Sequence, residues 1–271
     1  MHGQDLHQWS PAAALSQARE KWICLVSGTG DGPPLAEALL QRGWNVLVCV
    51  VTPTAARAYT AHPQLQIRIG ALAADSDLEA LLERWRPHWC VDATHPFACA
   101  ISQRLERVCL GRQQALLRLA RCAATAVNNT AVQPLSDLGQ LSDYAWAGER
   151  LLLAIGSRQL PEALAHSRAA THFARVLDQP NSLQLALAAG LPDAHLACLR
   201  PTPHGDGAIE RALCRRWRIS QVLCRRGGGS SERLWRTICQ ELDLPLLLLE
   251  APTAAKDGLP FQALLEKLGD P

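Results

Sequence analysis

Lysine is almost missing from this chain. Of its 27 basic residues all but Lys21, Lys256 and Lys267 are arginines, and those three lie near the ends of the 271-residue sequence. A P-loop needs a lysine beside its glycine-rich turn and a Schiff-base enzyme needs one inside a pocket, so both are excluded. No apolar run approaches the roughly 20 residues that span a bilayer, which argues against an integral membrane protein and leaves no membrane partner. Charge of one sign is lacking too: the formal net charge is +2 and no dense basic block occurs, so no nucleic-acid partner is expected. The ten cysteines never come closer than nine residues apart, so the close pairs of a zinc ribbon are absent and no metal site is expected. Cys24, Cys49, Cys90 and Cys198 lie in apolar runs as small hydrophobes, and scattered thiols of this kind imply a reducing, cytoplasmic location. Residues 1–20 lack the apolar centre of a signal peptide and read as an N-terminal extension.

What is present is a composition 48% hydrophobic and 19% charged, enough apolar residues for a folded core. From Trp22 onward short apolar runs alternate with longer amphipathic stretches. Strands are expected at Trp22–Ser27, Val46–Val51, Leu65–Ile69, His88–Asp92 and Ala115–Leu119, with helices from about Pro33, over Asp75–Arg86 and over Phe97–Leu110. Cys122–Gly148 is weakly patterned and reads as a crossover. Alternation then resumes, with strands at Leu151–Ile155, His172–Val176, Ala194–Leu199, Gln221–Cys224 and Pro245–Leu249. Helices are expected at Gln159–His166, Ser182–Ala189, Asp206–Arg216 and Ser231–Leu242. The predicted class is α/β: two Rossmann-like domains, residues 21–135 and 136–271, each a parallel sheet flanked by helices, with a cleft between them.

Three strand ends carry the chemistry. The first runs into Gly28-Thr29-Gly30-Asp31-Gly32 and then a helix, a place where doubly wound folds bind phosphate. The glycines fall at every second residue and do not form the dinucleotide fingerprint, so a tight turn without a ligand is the alternative. The second strand ends in Thr52-Pro53-Thr54 with Arg57 just beyond. An NAD site usually places an acid there, whereas hydroxyls and an arginine suit a 2′-phosphate, so NADPH is favoured and NADH is the alternative. The fourth strand ends in Asp92-Ala93-Thr94-His95-Pro96-Phe97-Ala98, polar groups gathered where open α/β sheets bind ligands.

That last segment resembles the most recognisable motif of the precorrin-6A reductase family of cobalamin biosynthesis, and other segments follow in the family's order. Ser27–Gly32 resembles its Gly-Gly-Thr-x-Glu loop. Leu117–Arg121 resembles Leu-Arg-Tyr-Glu-Arg without the Tyr and Glu. Gly156-Ser157-Arg158-Gln159-Leu160 and Ala174-Arg175-Val176-Leu177 match motifs of the second half. Cys224–Gly229 takes the place of Thr-Lys-x-Ser-Gly-Gly, with Arg225 for the Lys, and the spacing to Glu250-Ala251-Pro252 is kept. The resemblance covers residues 21–252 and marks a divergent member.

It implies an oxidoreductase acting on a CH–CH bond, using NADPH to reduce a macrocycle double bond of precorrin-6A, or its cobalt form, to precorrin-6B. The substrate's carboxylates call for arginine forks, implying Arg118, Arg121, Arg158, Arg175 and Arg225 with Ser157, Gly228 and Gly229 as substrate contacts. Gly28, Thr29, Gly30 and Asp31 would hold the cofactor's diphosphate, Thr52, Thr54 and Arg57 its adenosine end, and Thr94 its nicotinamide. His95, Thr94 and Asp92 form the catalytic set, with His95 the proton donor and water its alternative. A monomer or small homo-oligomer is expected. A two-domain nucleotide-sugar transferase and a non-catalytic NADPH sensor are the competing readings, and neither accounts for Asp92–Ala98.

Overall fold

The structure, a computed structural model, describes residues 21–28, 30–121, 132–200, 206–252 and 258–271. The expected N-terminal extension and Thr29 lie outside them. By packing the chain divides into two units, residues 1–120 with 254–271 and residues 121–253.

In the first unit five parallel strands are ordered β3-β2-β1-β4-β5. They are β1 (Trp22–Ser27), β2 (Asn45–Val50), β3 (Leu65–Ile69), β4 (Trp89–Ala93) and β5 (Leu116–Arg118), joined through helices α1 (Gly32–Gln41), α2 (Pro53–Ala56), α3 (Asp75–Trp85) and α4 (Cys99–Gly111). Every residue of β1 is buried, which is why its sequence reads as an unbroken apolar run. Alternate side chains feed two cores. Ile23 and Leu25 join Leu35, Leu39, Val46 and Val48 on the α1 face, while Trp22, Cys24 and Val26 join Leu78, Leu82, Leu105 and Cys109 under α3 and α4.

The second unit's six parallel strands are ordered β6-β11-β10-β7-β8-β9. These are β6 (Val132–Leu135), β7 (Arg150–Ala154), β8 (Thr171–Leu177), β9 (Leu196–Leu199), β10 (Gln221–Arg225) and β11 (Leu246–Leu249). Between them run helices α5 (Leu160–His166), α6 (Pro180–Ala188), α7 (Ala208–Arg216) and α8 (Ser230–Glu241). The two parallel sheets flanked by helices agree with the expected α/β class.

Two elements lie where the sequence pattern is weak. Val132–Leu135, inside the expected crossover, is the edge strand β6 paired with β11; its proline and half-exposed residues hide the pattern. A last helix, α9 (Phe261–Leu268), sends Leu264, Leu265 and Leu268 into the first unit's core, and Trp44 Nε1 donates to the Gly269 carbonyl at 2.9 Å. The division by packing therefore differs from a single cut after residue 135: β6 belongs to the second sheet and the C-terminal segment returns to the first.

Candidate functional site

Each sheet has a point where strand order reverses, between β1 and β4 in the first and between β7 and β10 in the second. Open α/β sheets bind ligands outside the carboxyl ends of strands at that point. The motifs stand there. Ser27 and Ala93 are register partners at the ends of β1 and β4, so the Gly28 turn and Thr94 leave the sheet side by side. In the second sheet Cys224 pairs with Ala154, bringing Arg225 and the Gly156–Arg158 turn together.

At the first point Asp92 is 2% exposed and uses both carboxylate oxygens. Oδ1 accepts from the Thr94 N–H at 3.0 Å and the Thr94 hydroxyl at 2.6 Å, and Oδ2 accepts from the Ser102 hydroxyl at 2.7 Å and Arg118 Nε at 3.1 Å. A buried carboxylate needs such a shell to stay charged. The Arg118 guanidinium also meets Glu106 at 2.9 Å, so it is engaged by two carboxylates of its own unit. Ser102 and Glu106 lie on one face of α4, one turn apart, and the strand-end reading missed both; an apolar face broken by polar groups at positions i and i+4 is their only signal.

His95 is half-buried, its ring 5.7 Å from that of Phe97. Its Nδ1 accepts from the Phe97 N–H at 3.2 Å. A backbone amide only donates, so the neutral ring in this geometry carries its proton on Nε2.

The Gly28 turn has the features of an anion cradle built by backbone rather than by helix. A β-carbon at Gly28 or Gly30 would meet no described atom within 4 Å, so none of the described residues fills the space over them. Ser27 Oγ is buried without a hydrogen-bond partner among the described residues. At Gly32 a β-carbon would lie 2.0 Å from Ser27 Oγ and 2.2 Å from the Tyr59 hydroxyl, so only glycine fits. Tyr59, also missed by the strand-end reading, is likewise buried at its hydroxyl, which faces Ser27 and meets no hydrogen-bonding geometry among the described residues; burial raises its phenol above the ordinary range, partly offset by the Ser27 hydroxyl beside it. The prolines Pro33 and Pro34 remove two N–H donors from the start of α1, leaving the loop amides as the donors for a phosphate. A buried hydroxyl and open space over two glycines together fit a nucleotide's diphosphate.

Thr52 caps α2, its hydroxyl accepting from the Ala55 N–H at 3.2 Å and keeping its own proton to donate. Thr54 and Arg57 are exposed on the same short helix.

At the second point Gly156 has φ +83°, and a β-carbon there would lie 3.4 Å from both terminal nitrogens of Arg225. Gln159 Oε1 accepts from Arg225 Nε at 2.7 Å. Ser157 is buried beside this pair and Arg158 is exposed. Arg121 Nη1 donates to the Gly227 carbonyl at 3.1 Å and lies 3.4 Å from a β-carbon built on Gly229. Gly228 adopts φ +65°. Arg226 pairs with Glu250 at 2.8 Å. Arg175 faces Glu210 at 3.6 Å with its Nε unpartnered among the described residues, and burial lowers its pKa from the ordinary value. Thus Arg121, Arg225, Gly228 and Gly229 gather at one loop, Ser157 and Arg158 adjoin it, and Arg118 is drawn into the Asp92 network.

Among the described residues no group of three or more His, Cys, Asp or Glu side chains is placed to hold a metal ion, and no helix is long and apolar enough to cross a membrane. The nine described cysteines are all free thiols.

The family model for precorrin-6x reductase CbiJ/CobK matches residues 22–268. A cobalt-precorrin-6A reductase of Synechocystis sp. is 31% identical over 234 residues, covering 85% of this chain and 88% of that protein. A precorrin-6A reductase of Rhodobacter capsulatus is 28% identical over 235 residues, with the same coverage of 85% and 88%. Among solved structures, a CobK precorrin-6A reductase superposes with a TM-score of 0.75 at 22% identity, over 93% of this chain and 98% of that one.

Proposed function

The chain belongs to the precorrin-6x reductase family, and from that premise we infer an oxidoreductase of cobalamin biosynthesis that reduces one macrocycle double bond of precorrin-6A, or of its cobalt form, to the precorrin-6B level. The observation that carries this reading is the register pair Ser27–Ala93, which sets the Gly28 turn beside Thr94 and His95. The electron donor is a reduced nucleotide, and NADPH is the proposed one. When bound, the reduced nicotinamide supplies the hydride that adds to one carbon of the double bond.

The protein's own part is positioning. The amides of the Gly28–Gly32 turn and the Ser27 hydroxyl hold the diphosphate. The Asp31 carboxylate would repel phosphate and so serves a ribose hydroxyl. Arg57 and the hydroxyls of Thr52 and Thr54 receive the 2′-phosphate end, where no acid stands to favour NADH. Asp92 accepts the Thr94 hydroxyl's hydrogen bond, which leaves the Thr94 oxygen as an acceptor toward the nicotinamide. Asp92 is thus a positioning residue.

His95 presents Nε2–H to the substrate. Giving up that proton from the neutral ring would leave an imidazolate, and protonating Nδ1 would break its bond with Phe97. Water therefore supplies the proton for the second carbon, and His95 orients the ring. In the second unit Arg121, Arg158 and Arg225, with Ser157 and the turn Gly228–Gly229 that leads into α8, take the substrate's carboxylates, guanidinium matching carboxylate through paired hydrogen bonds. Arg175 is half-buried and half-paired, and joins them as a secondary contact.

Titration of the protein with NADPH and separately NADH, followed by nicotinamide fluorescence, tests the donor site. Micromolar NADPH binding that weakens about tenfold or more in Arg57→Ala, with NADH unaffected by the change, is the expected result. Failure to bind either nucleotide overturns the hydride route. Anaerobic turnover of precorrin-6A and of cobalt-precorrin-6A by absorbance identifies the substrate form.

A further inference from the structure

Glu232 is a carboxylate that neither the strand-end motifs nor the substrate contacts above involve, and it is buried to 1% exposure. It is the third residue of α8, whose N-cap is Gly229. A glutamate at that position commonly turns back to the N-cap amide. Here it reaches one residue further: Oε2 accepts from the Gly228 N–H at 2.8 Å, and Oε1 accepts from Arg236 Nε at 2.8 Å. Gly228 sits at φ +65°, and the preceding Gly227 carbonyl is held by Arg121. The Gly227–Gly228 peptide group, which leads into the left-handed residue, is therefore pinned at both its polar atoms, its carbonyl by a cation and its N–H by an anion.

The consequence lies in which amides are left over. With the Gly228 N–H tied to Glu232, the first amides of α8 remain as donors that no acceptor within the helix can serve. Unlike α1, this helix starts without proline, so none of these donors is removed. Arg236 cancels the charge of Glu232, so the pair adds no net negative charge beside Arg121 and Arg225, where carboxylates are to bind.

We propose that Glu232 is a positioning residue for the substrate: it fixes the Gly227–Gly229 turn in the shape that receives a macrocycle carboxylate. This rests on the assignment of the Arg225–Gly229 loop to the substrate. The Glu232→Gln side chain keeps the size but puts an NH2 at one of the two oxygen positions, where it faces another donor, so the Gly228 N–H and Arg236 cannot both keep their bonds.

The test compares steady-state kinetics of four proteins: wild type, Glu232→Gln, the double variant Glu232→Gln/Arg236→Met, and Arg225→Met. Glu232→Gln should raise the substrate KM about tenfold with kcat within about twofold and NADPH affinity unchanged. The double variant frees the Gln oxygen for Gly228 and should return KM to near wild type, which a general loss of stability would not do. If Glu232→Gln does not fold, the double variant is compared with Glu232→Met/Arg236→Met, which leaves the Gly228 N–H without an acceptor and no charge unpaired: a KM about tenfold higher in the latter supports the role and an equal KM overturns it. If Arg225→Met raises KM while Glu232→Gln does not, the role of Glu232 is overturned and the loop remains the substrate site. If neither changes KM, the loop assignment falls as well.

Discussion

The guanidinium of Arg225 covers the α-carbon of Gly156, so close that a β-carbon on Gly156 would stand 3.4 Å from both terminal nitrogens. The two residues are 69 positions apart in sequence and belong to motifs at the ends of neighbouring strands. Replacing Gly156 by Ala has two effects. The backbone at φ +83° and ψ +156° is in a region that is essentially glycine-only, costing about 1–3 kcal/mol, and Arg225 must tilt. Gly156→Ala should lower urea stability by that amount and raise the substrate KM, both measurable on the same preparation.

Arg118 and Asp92 separate structure from substrate binding. Removing one member of a buried, hydrogen-bonded ion pair costs about 3–5 kcal/mol because the other is left uncompensated. Arg118→Met should therefore cost stability of that order in chemical denaturation while leaving the substrate KM within about threefold. A large KM increase without loss of stability would return Arg118 to the substrate contacts.

His95→Asn offers the Phe97 amide another acceptor and removes the ring. If water supplies the proton, turnover falls by less than about tenfold, equivalent to under about 1.4 kcal/mol. A loss of about a thousandfold, measured in single turnover, would make His95 the acid.

Gly32→Ala should weaken NADPH binding, because the new methyl group displaces Ser27 Oγ and the Tyr59 hydroxyl. Combining it with Tyr59→Phe and Ser27→Ala removes both obstructing oxygens. Stability should recover in part in that triple variant, the Ser27 β-carbon 2.8 Å away still crowding the new methyl, while NADPH affinity, which uses the Ser27 hydroxyl, should not; denaturation and fluorescence titration report the two quantities.

Burial pushes the Cys224 thiol up to about 12, with the Glu232 carboxylate adding to it, and burial pushes Cys214 up to about 11, with Glu210 adding to it. Both are neutral in the folded protein, where the unfolded thiols ionise near 9.0. Since the folded values are raised, the stability they confer is complete below about pH 9 and is lost as pH rises towards 11 to 12. Urea midpoints should fall across that window, and a thiol reagent at pH 8 should modify these two cysteines only after unfolding.

Much of the fold was legible because a parallel strand buried on both faces leaves a clear trace: Trp22–Ser27 has the bounds that its apolar run predicts, and the half-exposed edge strand Leu65–Ile69 shows instead through its alternation of apolar and polar residues. The family motifs likewise marked both places where strand order reverses. What was hidden shares one cause, dependence on distant partners. β6 is a strand only because β11 lies beside it, and α2 is four residues set by Pro53 and the Thr52 cap. The engagement of Arg118 by Asp92 needs the β4–β5 register, Cys90 to Leu116 and Asp92 to Arg118. Spacing along a sequence shows an arginine at a strand end but not which carboxylate it meets. Glu232 was invisible for the same reason, since a glutamate in the first turn of a helix usually stays in solvent.

The return of α9 to the first unit bears on how the protein is made. Leu264, Leu265 and Leu268, buried against α1 and the first sheet, are each worth about 1.5–3 kcal/mol when fully buried. On the ribosome, Ile23 to Leu119 emerge long before these leucines do. The nascent first unit must wait through synthesis of the whole second unit with an uncovered apolar face, and that interval is when a chaperone would have something to hold.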